Sequence, residues 1–264
     1  AWASGTSLPT PMTRYSFPGF GTQDAGAIVG GYDTSGSPAT PSQTNLYDGT
    51  TWTNSGAAAF QSSESAASGI QTAAFNAGGY GPGSYVATSQ TFDGSTWTAQ
   101  GSMVDGGRGL HDMAGGTQTA GAVCGSHDAG NTSHETFDGS SWTAATDMNV
   151  AHGGGGGAGT QTALLIMAGG YPNTATIATT EEWDGSTWTA GGVLGTARSR
   201  TAGGPTGGSY NNGWLGGGNT NPPTTTVVTE TYDGTSWTEA GAMATARIRY
   251  GSFGTNTAAV VAGG

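Results

Sequence analysis

The chain has 264 residues, of which 51 are Gly and only 9% are charged. All six basic residues are Arg, against 17 acidic ones, for a net charge of −11; with no basic cluster to neutralise phosphates, nucleic-acid binding is excluded, and attraction to anionic membranes or polyanionic glycans is disfavoured. A single Cys leaves no intrachain disulfide, and no apolar stretch has the length of a membrane span or the pattern of a signal peptide.

From the first residues onward the chain repeats itself. Trp2, Trp52, Trp97, Trp142, Trp188 and Trp237 are separated by 50, 45, 45, 46 and 49 residues. Five of them end one phrase, as in Tyr47-Asp48-Gly49-Thr50-Thr51-Trp52, built on Asp48, Asp93, Asp138, Asp184 and Asp233. A period of this length made of short strand signals specifies a toroid or solenoid. Because the chain lacks an initiator Met and starts in mid-repeat, it is expected to be a segment of a longer protein.

Each repeat carries four strand signals, a to d. Strand a follows an Arg in four repeats (Arg14, Arg108, Arg198, Arg247), and a turn such as Gly116-Thr117-Gln118-Thr119-Ala120 leads into strand b. Strand b ends at a Gly pair: Gly30-Gly31, Gly78-Gly79, Gly169-Gly170, Gly217-Gly218 or Gly263-Gly264. Turn and pair are nine residues apart in five repeats and ten in the fourth, the constancy a fixed hairpin register requires. Strand c ends in the aromatic before Asp-Gly, the Asp-Gly turn supplies positive φ, and strand d carries the Trp.

Four antiparallel strands repeated around an axis make a β-propeller blade. The fold class is all-β, a single domain over residues 1–264, with blades at about 13–52, 62–97, 106–142, 151–188 and 201–237. Residues 246–264 together with 1–4 supply a sixth blade lacking strand c, so that both termini close the ring. Seven blades, with part outside the chain, is the alternative.

The Gly-Gly after strand b, the Tyr-Asp before strand d and the following Trp resemble the kelch family of propellers over essentially the whole chain. The Asp-Gly turn phrase is also similar to the Asp-box of sialidases. The kelch likeness implies the propeller fold and spans enzymes, adaptors and adhesins.

Strand order a-b-c-d puts the constant a–b and c–d turns on one face and the variable b–c and d–a connections on the other, where binding residues are expected. Candidates are Tyr32, Asp33, Tyr80, Tyr85, His127, Asp128, His134, Tyr171, Asn173, Asn219 and Asn221. His127 and His134 share one b–c loop and, with Asp128 and Glu135, make a weak metal candidate; the reading carries no metal and no cofactor. The repeated Asp residues shape turns, the repeated Trp residues form core, Cys124 stands where other repeats have Ala77, Ala168 or Ala262 just before the Gly and is a small buried residue, and the recurring Arg residues satisfy inter-blade carbonyls or pair with acids. No catalytic residue is assigned, because neither the Tyr–Cys pair of a copper radical oxidase nor a converging Arg triad of a sialidase stands out.

The near-identical repeats, the missing Lys and the Gly/Thr/Ser bias are similar to kelch-like propellers of marine bacteriophages and their hosts. That resemblance implies a non-enzymatic tail-fibre or appendage module on a virion surface, or otherwise extracellular. Its partners would be other virion proteins and a host-surface glycan or receptor, with self-association left open. A secreted bacterial adhesin is the second expectation, and a propeller enzyme of sialidase or galactose-oxidase type the third.

Overall fold

A computed structural model of the chain describes residues 2–9, 17–31, 42–111, 113–127, 130–170, 176–204, 210–221 and 224–264. The Asp-Gly phrases organise it locally. Asp138 Oδ1 accepts the backbone N–H groups of Ser140 and Ser141, both at 2.8 Å, and its carboxylate also takes both hydroxyls. Asp48, Asp93, Asp184 and Asp233 hold their turns the same way, and the following Gly takes φ between 92° and 100° in all five. A residue with a Cβ is strained there, which is why Gly recurs.

Around these turns run five four-stranded antiparallel sheets, each in sequence order. They are β1 to β4 (Gly19–Thr22, Ala25–Val29, Thr44–Tyr47, Trp52–Asn54), β5 to β8 (Ala66–Ile70, Ala73–Ala77, Ser89–Phe92, Trp97–Gln100) and β9 to β12 (Ala114–Thr117, Ala120–Cys124, His134–Phe137, Trp142–Ala144). Next come β13 to β16 (Gly156–Thr160, Ala163–Met167, Thr180–Trp183, Trp188–Ala190) and β17 to β20 (Ala202–Gly204, Trp214–Gly216, Thr229–Tyr232, Trp237–Glu239). A last, two-stranded sheet pairs β21 (Gly251–Thr255) with β22 (Ala258–Ala262). The innermost strands neighbour one another in the order β1, β5, β9, β13, β17, β21 and back to β1. The chain is thus an all-β propeller of four-stranded antiparallel blades.

Strand d begins at the repeated Trp, which faces the aromatic before Asp-Gly: Phe137 pairs with Trp142, and their rings stack 4.8 Å apart. Each Trp then packs against the preceding sheet, as Trp142 does on Phe75. Its indole N–H donates to that sheet's strand c at Ser89 Oγ, 2.9 Å, and Trp97 repeats the bond to Thr44. Burying one such ring is worth about 4–6 kcal/mol as an upper estimate. Strand b must stay thin for the sheets to close up; a Cβ on Gly121 would fall 2.4 Å from the Phe75 ring. A Gln in three a–b turns, Gln71, Gln118 and Gln161, adds a polar stitch: Gln161 Nε2 donates to the Gly121 and Phe137 carbonyls of the preceding sheet, both at 2.9 Å.

Three sequence expectations change. The last sheet shows two strands, and residues 2–9 form none. Trp2 does occupy the place of a strand-d Trp, its ring 5.9 Å from Trp214 of the preceding sheet, but without a strand c beside it there is no ladder for it to join. Trp52, which faces that incomplete sheet, and Trp237, which faces the fourth, are half-buried, whereas Trp97, Trp142 and Trp188 are buried. In the fourth repeat the spacing is nine after all. Ala168, at φ 60°, takes the first-glycine place and its N–H bonds the Thr179 carbonyl, as Gly125 N–H bonds Ser133. Cys124 therefore corresponds to Met167, not Ala168. Among the described residues no helix is long and apolar enough to cross a membrane.

Candidate binding site at the loop-bearing mouth

The d–a connections end at the propeller axis, and one device fixes them. On strand c, a Gln or Glu accepts the backbone N–H groups of the incoming connection: Gln90 from Ala59 and Phe60, Glu135 from Val104 and Asp105, Glu181 from Asn149 and Val150, Glu230 from Gly195. Where that residue is Glu, a basic side chain covers it. Arg108 bonds Glu135 at 2.5 Å, Arg198 bonds Glu230, and His152 Nε2 lies 3.6 Å from Glu181. Where it is the neutral Gln90, the matching residue is Ser62, also neutral and buried. Arg108 and Arg198 also bind carbonyls, at Gly125 and Val228, and Arg247 binds the Gly263 carbonyl. The recurring Arg residues are thus structural, as their recurrence implied; Arg14 lies outside the described residues. Burial lowers the Arg198 guanidinium from its ordinary value, and the Glu230 charge opposes that shift.

Two residues past that basic place, or three in the third repeat, the backbone turns left-handed. Glu64, His111, Gly154, Arg200 and Arg249 have φ between 47° and 69°. Neighbouring members are linked directly: the Glu64 carbonyl accepts the His111 N–H, Gly154 accepts Arg200, and Arg200 accepts Arg249. Four of the five are not glycine, and such backbone is held only where the surroundings over-determine it. The effect is to set a side chain from four of these five connections around the axis, on the face bearing the b–c loops.

In three repeats the residue that follows the glycine place pairs with the connections carrying this ring. Tyr80 exchanges backbone bonds with Ser63, Asn219 with Ser199, and His127 N–H donates to the Gly109 carbonyl. Between the second and third sheets the two rings of side chains meet. The Tyr85 hydroxyl donates to Glu64 Oε2 at 3.0 Å, and the Tyr80 and Tyr85 rings meet edge to face at 5.4 Å. Tyr85 then lies 5.6 Å from the His127 ring, and His127 stacks on His111 at 5.5 Å and 28°. His111 is buried, while Glu64, Tyr80, Tyr85 and His127 are half-buried. Burial alone would raise the Glu64 carboxyl, but its bond to His127 and the charges of His111, Arg249 and His127 outweigh burial and hold it at about 2. Burial pushes His111 down to about 4 against the pull of Glu64.

Of the sequence candidates, Tyr80, Tyr85 and His127 come together here. Asn219 and Asn221 lie apart, on the fifth sheet's loop, where Asn219 Oδ1 accepts from Thr225 Oγ1 at 3.2 Å. Tyr32, Asp33, Asp128, Tyr171 and Asn173 lie outside the described residues. The pairing of His127 with His134 does not occur. His134 belongs to strand β11, where it is buried edge-on against Trp183 and Trp188 and bonds the Thr146 carbonyl. Glu135 is taken by Arg108. Cys124 sits inside the wall between the third and fourth sheets, where burial raises its thiol pKa.

No family model and no curated protein matches the chain. Its chemistry is therefore read from the site itself. Glu64 and His111 were the residues sequence reasoning passed over. The available signal was positional: in connections otherwise alike, the residue at this one place changes from Glu to His, Gly and Arg.

Proposed function

We propose that the chain is a non-enzymatic recognition module that holds a host-surface glycan or receptor protein at the loop-bearing mouth. The observation that carries this reading is the contiguous platform of Tyr80, Tyr85 and His127 on that face, backed by the buried ring of His111. Half-buried aromatic rings stack on the apolar faces of sugars, and their polar tips hydrogen-bond the hydroxyls. A ligand meeting a platform fixed by blade-to-blade bonds loses little through ordering of the protein. The net charge of −11 favours a neutral or cationic ligand over a polyanion.

The setting we propose is a virion surface, as part of a tail fibre or appendage, on the strength of the sequence style and the kelch-like blade pattern. We also propose a six-bladed ring. The sheet of β21 and β22 stands between the fifth and first blades, and beside it runs a groove of about 670 Å³ lined by Trp2, Leu8, Trp52, Met243 and Val260. Outer strands added there would complete a sixth blade.

The test is binding of the purified propeller to a glycan array and to whole marine bacteria. Saturable binding lost in Tyr80→Ala/Tyr85→Ala, and kept in Ile70→Ser on the opposite face, is the expected result. A folded ring that binds nothing, or binding indifferent to the two Tyr residues, overturns the reading.

A further inference from the structure

We propose that Glu64, His111 and His127 form a binding site for a divalent transition ion, with zinc as its first occupant. The inference is independent of the recognition reading, since it rests on donor geometry alone. His111 Nε2 and His127 Nδ1 are 3.3 Å apart, and each lies 3.6 Å from Glu64 Oε2. Ligands about 2.1 Å from a tetrahedral zinc are separated by about 3.4 Å, so the three donors already stand at the edge lengths of one face of that tetrahedron. An ion about 2.1 Å from all three would sit about 0.5 Å out of their plane. Among the described residues this is the one group of three such side chains brought so close together.

The donor chemistry agrees. Two imidazoles and one carboxylate suit zinc and its late-transition neighbours rather than calcium or magnesium. Ligating carboxylates need an outer partner to orient them, and the Tyr85 hydroxyl bonds Glu64 in that manner. The ligands also sit on backbone that cannot drift. Glu64 and His111 occupy the left-handed places of successive connections and are tied by a main-chain bond, while His127 is held through Gly109. Arg249 and Arg200 exert their charge on the same cluster. That charge opposes a cation here, so an ion is held only by direct ligation to the three donors. Three protein ligands leave a fourth position for water or an oxygen of a bound molecule.

Equilibrium dialysis of the metal-stripped propeller against zinc, with elemental analysis, tests the assignment. One zinc per chain is expected, with affinity reduced more than about 100-fold in His127→Asn, a larger loss than an outer-shell partner causes. His127 is half-buried, so this variant should melt as the parent does; Glu64→Gln is the second variant. Cobalt(II) in place of zinc should give the strong visible bands of four-coordinate geometry, again lost in His127→Asn. Absence of stoichiometric zinc at millimolar concentration, or zinc and cobalt signals that survive both substitutions, overturns the proposal.

Discussion

Replacing Arg198 by Met should be among the most damaging single changes in the molecule, and a second substitution should undo most of the damage. Arg198 and Glu230 have side chains 0% and 3% exposed. Taking away one partner leaves a buried carboxylate uncompensated, which costs about 3–5 kcal/mol. For a chain of this size, at about 2–4 °C per kcal/mol, Tm should fall by about 6–20 °C. Changing Glu230 to Gln in the same protein removes the stranded charge but keeps an oxygen to accept the Gly195 N–H. The second sheet already works this way, with Gln90 accepting Ala59 N–H at 2.7 Å and no basic side chain opposite. The double variant should therefore recover to within about 1 kcal/mol of the parent, the remainder being the Val228 carbonyl that Arg198 no longer serves. Thermal melts of the four proteins close the double-mutant cycle. If the double variant is as unstable as the two single losses added together, the pair is not a matched charge device and the reasoning fails.

Acid should act in two windows. His134 is held at about 4 by burial, so between pH 6.5 and 4 the unfolded chain takes a proton the fold refuses; stability should fall with falling pH by up to about 3 kcal/mol, and His134→Phe should lessen the slope. His111, held equally low by burial, acts in the same direction. Below that window the turn carboxylates lose stability as pH falls from their ordinary value through their depressed folded values, about 2 for Asp184, whose backbone bond to Thr187 is the first cause. A Tm flat between pH 7 and 4 would refute the first window. Cys124, buried with its pKa raised, should resist iodoacetamide at pH 8 in the native ring and react fully in denaturant. Labelling of the native protein within minutes would show that the third sheet opens.

The repeat was legible because its signals are local. A Trp at fixed distance after Asp-Gly reports a hairpin, and a hairpin needs only neighbouring residues. The Gln of the a–b turns at Gln71, Gln118 and Gln161 was visible too, but not its task, because its acceptors belong to the sheet before. The fourth repeat misled by one residue, since Ala168 adopts a backbone angle that the sequence pattern reserves for glycine. The site was half legible. Tyr80, Tyr85 and His127 could be assigned to a face from strand order alone. Their meeting with Glu64 and His111 depends on main-chain bonds between successive connections, which no spacing along the chain encodes. The strand expected at Trp2 misled for a related reason: Trp2 keeps its packing partner, yet a strand needs a neighbour to pair with.

The left-handed residue ahead of each inner strand separates two things that most binding sites confound. Its backbone is set by the ring, while its side chain is Glu, His or Arg on the same main-chain bonds and strand pairings. The mouth is in this sense an array of sockets, one in each of the five connections described, with main-chain bonds joining Glu64 to His111 and Gly154 through Arg200 to Arg249. Exchange or duplication of whole repeats would reorder the chemistry around the axis and leave the scaffold as it was. Under the recognition reading proposed above, a repertoire of specificities would be reachable by shuffling near-identical units, with no need to evolve a new loop for each.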